Sequence, residues 1–421
     1  MAGRAGADTP VLPDRWLGIL SADPAWDVRF ERAEDAFVWD DEEDRYLDLF
    51  TNGGVNILGH AHPAVNEAVS SQFERLASAH PSIENDARED FIEALSLVVP
   101  APLSRTVLTN SGSEAVDMAL KIACTATRRR RIVAAEGAGH GAGFLAALVS
   151  APHGRPLLPG LGLDVARVPF GDLAALEREL GDPVAAFIVE PVQAESGFRT
   201  LADSFLGAAH DLCREHDTLL IVDEVQTAFR AWPPLASLRR GVVPDIVCLG
   251  PSMANGFPIG AVVVNDDVAA RSKRAAVWST TAGNPLACAA GAATLRTVAS
   301  TTTRARMTEA GAHLQSRLRG LRMNEIKAVR GEALMAAVEL YAGAPVVVRS
   351  LWRSGVLVPP APSGLIRMLP PVTIERAQVD LVVERLAAAI LELRDNRRRR
   401  RSGGEDVELR GVAARRPSRS G

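Results

Sequence analysis

At 421 residues the chain is long enough for two domains, or for one large domain with an appendage. Its 47% hydrophobic and 23% charged content is that of an ordinary soluble protein, and a formal charge of -4 gives no general affinity for nucleic acid or acidic membranes. Cys124, Cys213, Cys248 and Cys288 show no close pairing and no metal spacing, so reduced thiols and a cytoplasmic location are expected.

Residues 1–20 are weakly patterned and read as an N-terminal arm, without the apolar core of a signal peptide. Phe37-Val-Trp-Asp and Arg45-Tyr-Leu-Asp-Leu alternate around the acidic turn Asp40–Asp44 and predict a surface hairpin. His60 and His62 follow in Asn56–Pro63. Two histidines without a third ligand order a loop more often than they bind metal, so no metal site is expected. Asn110-Ser-Gly-Ser-Glu-Ala opens a helix running to about Ala126. Gly112 lets a backbone approach closely, and first-turn amides favour an anion, although such segments are commonly plain N-caps. Lys121 shares a polar stripe with Glu114 and Asp117, and an Asp117–Lys121 pair facing solvent is expected. A strand, Ile132–Ala135, then leads into the glycine cluster Gly137–Gly143, which contains His140.

Ala185–Val189 reads as a buried strand ending in Glu190, with Glu195 five residues on. Leu219–Val222 is an aliphatic run that ends in Asp223 and Glu224, the signature of a parallel strand buried on both faces. In open α/β sheets ligands gather beyond such carboxyl ends, which marks Asp223. Asp245–Gly250 is a second strand, halted by Pro251, and Ile259–Val264 is a third. Asn284-Pro285 starts an alanine-rich helix as far as Leu295. Residues 300–394 alternate helical and short strand patterns and read as a smaller domain. The remainder, 395–421, holds five consecutive arginines and a Gly/Arg/Ser tail, and is expected to be disordered.

In combination, LLIVDEVQTAF, PDIVCLG and GFPIGAVVV resemble the heart of the class III aminotransferases, pyridoxal-phosphate enzymes of fold type I. The resemblance spans roughly 30–393. It implies an α/β fold with a large, mainly parallel seven-stranded-type sheet (56–295) and a small α+β domain built from 21–55 and 296–394. It implies a phosphate cup at Ser111, Gly112 and Ser113, a ring-nitrogen partner at Asp223 and a phenolic-oxygen contact at Gln226. Glu195 falls at the family's substrate-proximal glutamate, and Arg367, in Arg-Met-Leu-Pro-Pro-Val-Thr, at a carboxylate grip; a structural salt bridge is the alternative for each. Thr280, in Ser-Thr-Thr-Ala-Gly-Asn-Pro, falls where the family reaches the phosphate of the neighbouring subunit's cofactor, implying a homodimer with shared active sites.

Three positions depart from the family pattern. Pro251 stands where the family carries the lysine that bonds the cofactor. Gly139 replaces the aromatic that stacks on the cofactor ring, and Thr281 replaces an aromatic after Thr280. Transamination uses that lysine twice, to hold the cofactor and to move a proton. The expectation is therefore an enzyme acting on an amino- or carboxylate-bearing small molecule. It would hold PLP or PMP without a covalent link, or work with no cofactor, with His140 or Glu195 carrying protons. The alternative is an inactive homologue serving as a structural or regulatory subunit. No nucleic-acid or membrane partner is expected.

Overall fold

The computed structural model describes residues 29–150, 163–360 and 364–401. Its centre is a seven-stranded sheet in the order Arg105–Thr109, Gly260–Val264, Ile246–Leu249, Leu219–Asp223, Val184–Val189, Arg131–Ala135, Asp164–Val168. Neighbours pair in parallel except around Gly260–Val264, which is antiparallel to both of its partners. The physical reason is the connection: the short Gly250–Ile259 segment can turn back but cannot make a crossover. The strands Val184–Val189, Leu219–Asp223, Ile246–Leu249 and Gly260–Val264 are buried at every residue, as their unbroken aliphatic sequences require.

Helices cover both faces of the sheet. Gly112–Thr127 is capped by Ser111, whose hydroxyl accepts from Glu114 N at 3.1 Å. Pro285–Ala299 lies against Pro63–Arg75 and Asp86–Ser96. Small residues allow that approach: a Cβ on Gly291 would stand 2.5 Å from the Phe91 ring.

The smaller part joins the two ends of the chain. The hairpin Phe37–Asp40 and Arg45–Asp48 forms as its alternation predicts. Val356–Leu357 then adds in parallel beside Arg45–Asp48, placing Val356 opposite Leu47. Ile326–Glu332, Met335–Leu340 and Leu365–Met368 form a separate antiparallel sheet, which carries Arg367. Among the described residues no helix is long and apolar enough to cross a membrane.

Two expectations are corrected. The C-terminal helix runs Arg376–Arg401, so disorder does not begin at 395; arginine is a good helix former and the run extends an established helix. Residues 402–421, like the arm at 1–20, lie outside the described residues. The Asp117–Lys121 pair does not form. Asp117 instead accepts from Ala146 N at 2.6 Å, and Lys121 Nζ donates to Ala276 O at 2.5 Å, because tertiary partners outcompete a weak surface pair.

Candidate active site

The site lies where the carboxyl ends of the central strands meet the N-terminus of the Gly112–Thr127 helix. The link is Val225, two residues beyond the strand that ends in Asp223. A Cβ on Gly112 would lie 2.5 Å from Val225 Cγ1, and a Cβ on Gly250 would lie 2.7 Å from the same methyl. Glycine at 112 and 250 thus lets one valine wedge between the helix start and the residue preceding Pro251. Ser113 turns its hydroxyl the other way and accepts from Gly143 N at 2.6 Å, which pins the glycine cluster to the cup. Asn110 is held in place from the far side by Ser279 and Thr281, each at 3.0 Å.

Asp223 is buried at the strand end. Its Oδ1 accepts from Val225 N at 3.0 Å, and its Oδ2 lies 2.7 Å from His140 Nδ1. The His140 ring is fully enclosed, and its Nε2 has no hydrogen-bond partner among the described residues. Burial pulls the imidazole pKa down, but the hydrogen bond and charge of Asp223, with the charge of Glu190, outweigh it, so the net shift is upward. Glu190 lies close by, its Oε2 accepting from Gly139 N at 2.9 Å. Burial pushes its pKa up to about 7. His140 therefore backs the carboxylate. Its ring is enclosed among the described residues.

On the cleft side, a Cβ on Gly139 would meet Glu195 Cγ at 2.7 Å and Glu195 Cβ at 3.1 Å. The Glu195 stem thus lies directly against Gly139. Its Oε1 is 3.6 Å from Arg367 Nη1, and both side chains are partly exposed, at 56% and 29%. The structure therefore brings Glu195, Arg367 and Gly139 together. Gln226 is half-buried on the turn after Asp223. Thr280 is exposed, next to Trp278, whose ring lies 6.1 Å from His80.

Pro251 opens the 3-10 turn Pro251–Ala254. Gly250 before it is extended (φ -128°, ψ -168°), as a residue preceding proline is biased to be. The chain's three lysines have other positions. Lys121 lies about 14 Å along its helix from Gly112, Lys273 is exposed in a turn, and Lys327 pairs with Glu339 at 2.8 Å. His60 orders its loop by hydrogen bonds to Asp48 (2.8 Å) and Asn56 (3.1 Å). No group of three metal-ligating side chains occurs among the described residues.

Sequence reading missed Val225, Ser150 (whose Oγ accepts from His140 N at 2.9 Å) and the task of Glu190. The available signal for Val225 was its place directly after the strand-end acids. Nothing local marked Ser150.

The strand order and the strand-end acid define a mixed α/β fold in which a capped helix N-terminus packs, through Gly112 and Val225, beside the strand that ends in a buried carboxylate. Residues 21–390 match the family model of Aminotransferase class-III, and the chain belongs to that family. It is 36% identical over 363 residues to the acetylornithine aminotransferase of Methanothermobacter thermautotrophicus, covering 85% of this chain and 92% of that one. It is also 36% identical over 364 residues to the [LysW]-aminoadipate semialdehyde transaminase of Deinococcus radiodurans, covering 85% and 84%. Among solved structures, the ornithine aminotransferase of Toxoplasma gondii superposes with a TM-score of 0.83 at 31% identity, covering 91% of this chain and 94% of that chain. The acetylornithine aminotransferase of Elizabethkingia anophelis gives 0.77 at 30% identity, covering 87% and 94%. The fold is that of the fold type I aminotransferases, and the relatives are enzymes.

Proposed function

We propose that this protein is an aminotransferase-type enzyme that acts on an amino- or carboxylate-bearing small molecule and holds PLP or PMP through non-covalent contacts alone. The observation that carries this is the clasped pair His140–Asp223 beside an intact cup, with Pro251 where a lysine would stand. An inactive or purely structural chain has no physical need for a buried carboxylate fixed by an enclosed imidazole.

The residues present fit the cofactor. Ser111, Gly112 and Ser113 offer a capped helix N-terminus on a glycine cradle, suited to a phosphate. Asp223 offers a carboxylate for a protonated ring nitrogen, with His140 fixing its orientation, and Gln226 is placed for a ring oxygen. When bound, the cofactor supplies an electron-withdrawing ring that eases proton removal beside an amine. Val225 forms one wall of that space, and the Glu195 stem lies over Gly139 on the other. Glu195, partly exposed beside Gly139, takes the role of moving a proton, while Arg367 receives a substrate carboxylate. Loss of the lysine's acid–base action costs ~10²–10⁴-fold for an ordinary transamination, so turnover is slow or directed at different chemistry.

The active form is a homodimer in which Thr280 completes the neighbouring subunit's cup. The exposed ring of Trp278 (63%), two residues before Thr280 and beside His80, supports an interface there. The names of the relatives support amino-group transfer as the ancestral chemistry. A cytoplasmic location accords with the four free cysteines.

The test is the absorbance spectrum of the purified protein with and without added PLP, followed by exhaustive dialysis. One cofactor per chain, bound without the spectral change of a lysine linkage, is expected. Failure to retain any PLP or PMP overturns this reading in favour of cofactor-free chemistry.

A further inference from the structure

The hairpin that bears Glu195 meets the smaller part of the molecule at a cleft of about 590 Å³. Phe198 and Arg199 line it from the hairpin, Arg319 from the end of the helix Thr301–Arg319, and Val329, Arg330 and Glu332 from the strand Ile326–Glu332. Clefts of that size hold small molecules.

The charge of this lining is lopsided. Glu332 is its one carboxylate, and two guanidiniums already hold it, Arg239 at 2.8 Å and Arg240 at 2.5 Å. Arg330 shares Glu339 with Lys327. Arg199 and Arg319, by contrast, meet only neutral acceptors among the described residues. Arg199 donates to Gln193 Oε1 and to Glu136 O, and Arg319 Nη2 donates to Gly331 O at 3.1 Å. A guanidinium has more N–H groups than these contacts use, so both side chains keep donors for an anion. Two cations lining one concave space also repel each other, and an anion between them relieves that repulsion.

The hairpin ties this cleft to the candidate active site. Glu195 lies in the turn between Val192–Gln193 and Arg199–Thr200, four residues before Arg199. Arg199 Nη2 reaches Gln193 Oε1 at 2.5 Å and so fastens one hairpin strand to the other. Ser196 Oγ donates to Gly137 O at 2.6 Å, at the start of the glycine cluster. On the apolar side, Val192 and Phe198 pack with Met335 and Ala337 of the smaller sheet.

We propose that this cleft is a regulatory site for a small polyvalent oxyanion, which spans Arg199 and Arg319 and fastens the hairpin that carries Glu195 to the smaller sheet. A monovalent carboxylate matches only one of the two cations, whereas phosphate and polycarboxylate groups both suit paired guanidinium forks. The site is separate from the cup at Ser111–Ser113 and from Arg367. Its effect on turnover rests on the role given above to Glu195, but its binding does not.

The test titrates the full-length protein calorimetrically with pyrophosphate, citrate and acetate, in the wild type, Arg319→Gln, Arg319→Glu and Arg319→Lys. Wild type should bind a polyvalent anion at least about tenfold more tightly than acetate, as one added charge-assisted contact implies. Tighter binding of pyrophosphate marks a phosphate compound as the natural source, and tighter binding of citrate marks a polycarboxylate. Arg319→Gln should weaken the preferred anion about tenfold, Arg319→Glu should weaken it further, and Arg319→Lys should keep most of the affinity. Arg319 is exposed at a helix end, so the melting temperature should not fall in these variants. Hydrogen exchange at residues 192–200 should slow when the anion binds wild type, and should not change in Arg319→Glu. Undiminished binding by Arg319→Glu would put the anion elsewhere, the cup included, and overturn the site. Equal affinity for acetate, or binding of none of the three anions, would overturn it as well. Arg319-dependent binding that leaves exchange at 192–200 unaltered would overturn the coupling to the hairpin.

Discussion

His140 Nδ1 and Asp223 Oδ2 lie 2.7 Å apart, buried, although 83 residues separate them in the chain. The imidazole fixes one oxygen of the carboxylate and the Val225 amide fixes the other, so Asp223 presents a single orientation. This preorganisation sets the first expectation. Asp223→Asn removes a charge-assisted hydrogen bond worth ~1.5–3 kcal/mol, so PLP affinity should fall roughly ten- to a hundredfold. An equilibrium absorbance titration measures it, and unchanged affinity would argue against cofactor binding at this carboxylate.

No lysine should become linked to the cofactor. Lys121 is engaged with Ala276 O, Lys327 with Glu339, and Lys273 is exposed in a turn. Borohydride reduction with PLP present should give no single dominant pyridoxyl-lysine on peptide mass mapping. One stoichiometrically modified lysine would contradict the structure's assignment of these side chains.

Placing a lysine at position 251 should not produce ordinary transamination. In Pro251→Lys the new side chain starts from a 3-10 turn preceded by an extended Gly250. Adding Gly139→Tyr should not help greatly, since a Cβ there already meets Glu195 Cγ at 2.7 Å and the glutamate must leave its place. An aromatic stack adds only ~0.5–1.5 kcal/mol beyond burial. Amine-transfer rates of the single and double variants are the measurement, and rapid turnover by Pro251→Lys alone would show that the pocket was never rebuilt.

Glu190 makes stability depend on pH. Burial raises its folded pKa to about 7 from the ordinary 4.5. Below about pH 4.5 both states are protonated and there is no penalty. Between 4.5 and about 7 the unfolded carboxyl ionises while the folded one retains its proton, so stability falls as pH rises, by up to ~3 kcal/mol. The raised pKa of His140 acts in the same direction, its stabilisation being lost as pH rises through the folded value. In urea unfolding, Glu190→Gln should therefore gain on wild type as pH increases from about 4.5 to about 7.5. A pH-independent difference between the two proteins would refute the assignment.

Light scattering at micromolar concentration should report a dimer, and Trp278→Glu should weaken it by placing a charge in the apolar face beside Thr280. A wild-type monomer with an intact fold would remove Thr280 from the site.

The sequence by itself determined the features that are covalent or strictly local. An aliphatic run ending in Asp223 must be a buried strand with its acid at the rim. Ser111-Gly112-Ser113 must cap a helix and leave its first amides open, and Pro251 has no amine in any conformation. Tertiary structure decided the rest, because burial and partner choice depend on residues far apart in the chain. Only packing put the Glu195 stem over Gly139, set His140 against Asp223, drew Lys121 to Ala276, and enclosed Arg230 with one nitrogen unpaired among the described residues. In sequence Arg230 is one arginine among many. Its burial arises when Gly54, 176 residues earlier, folds over it.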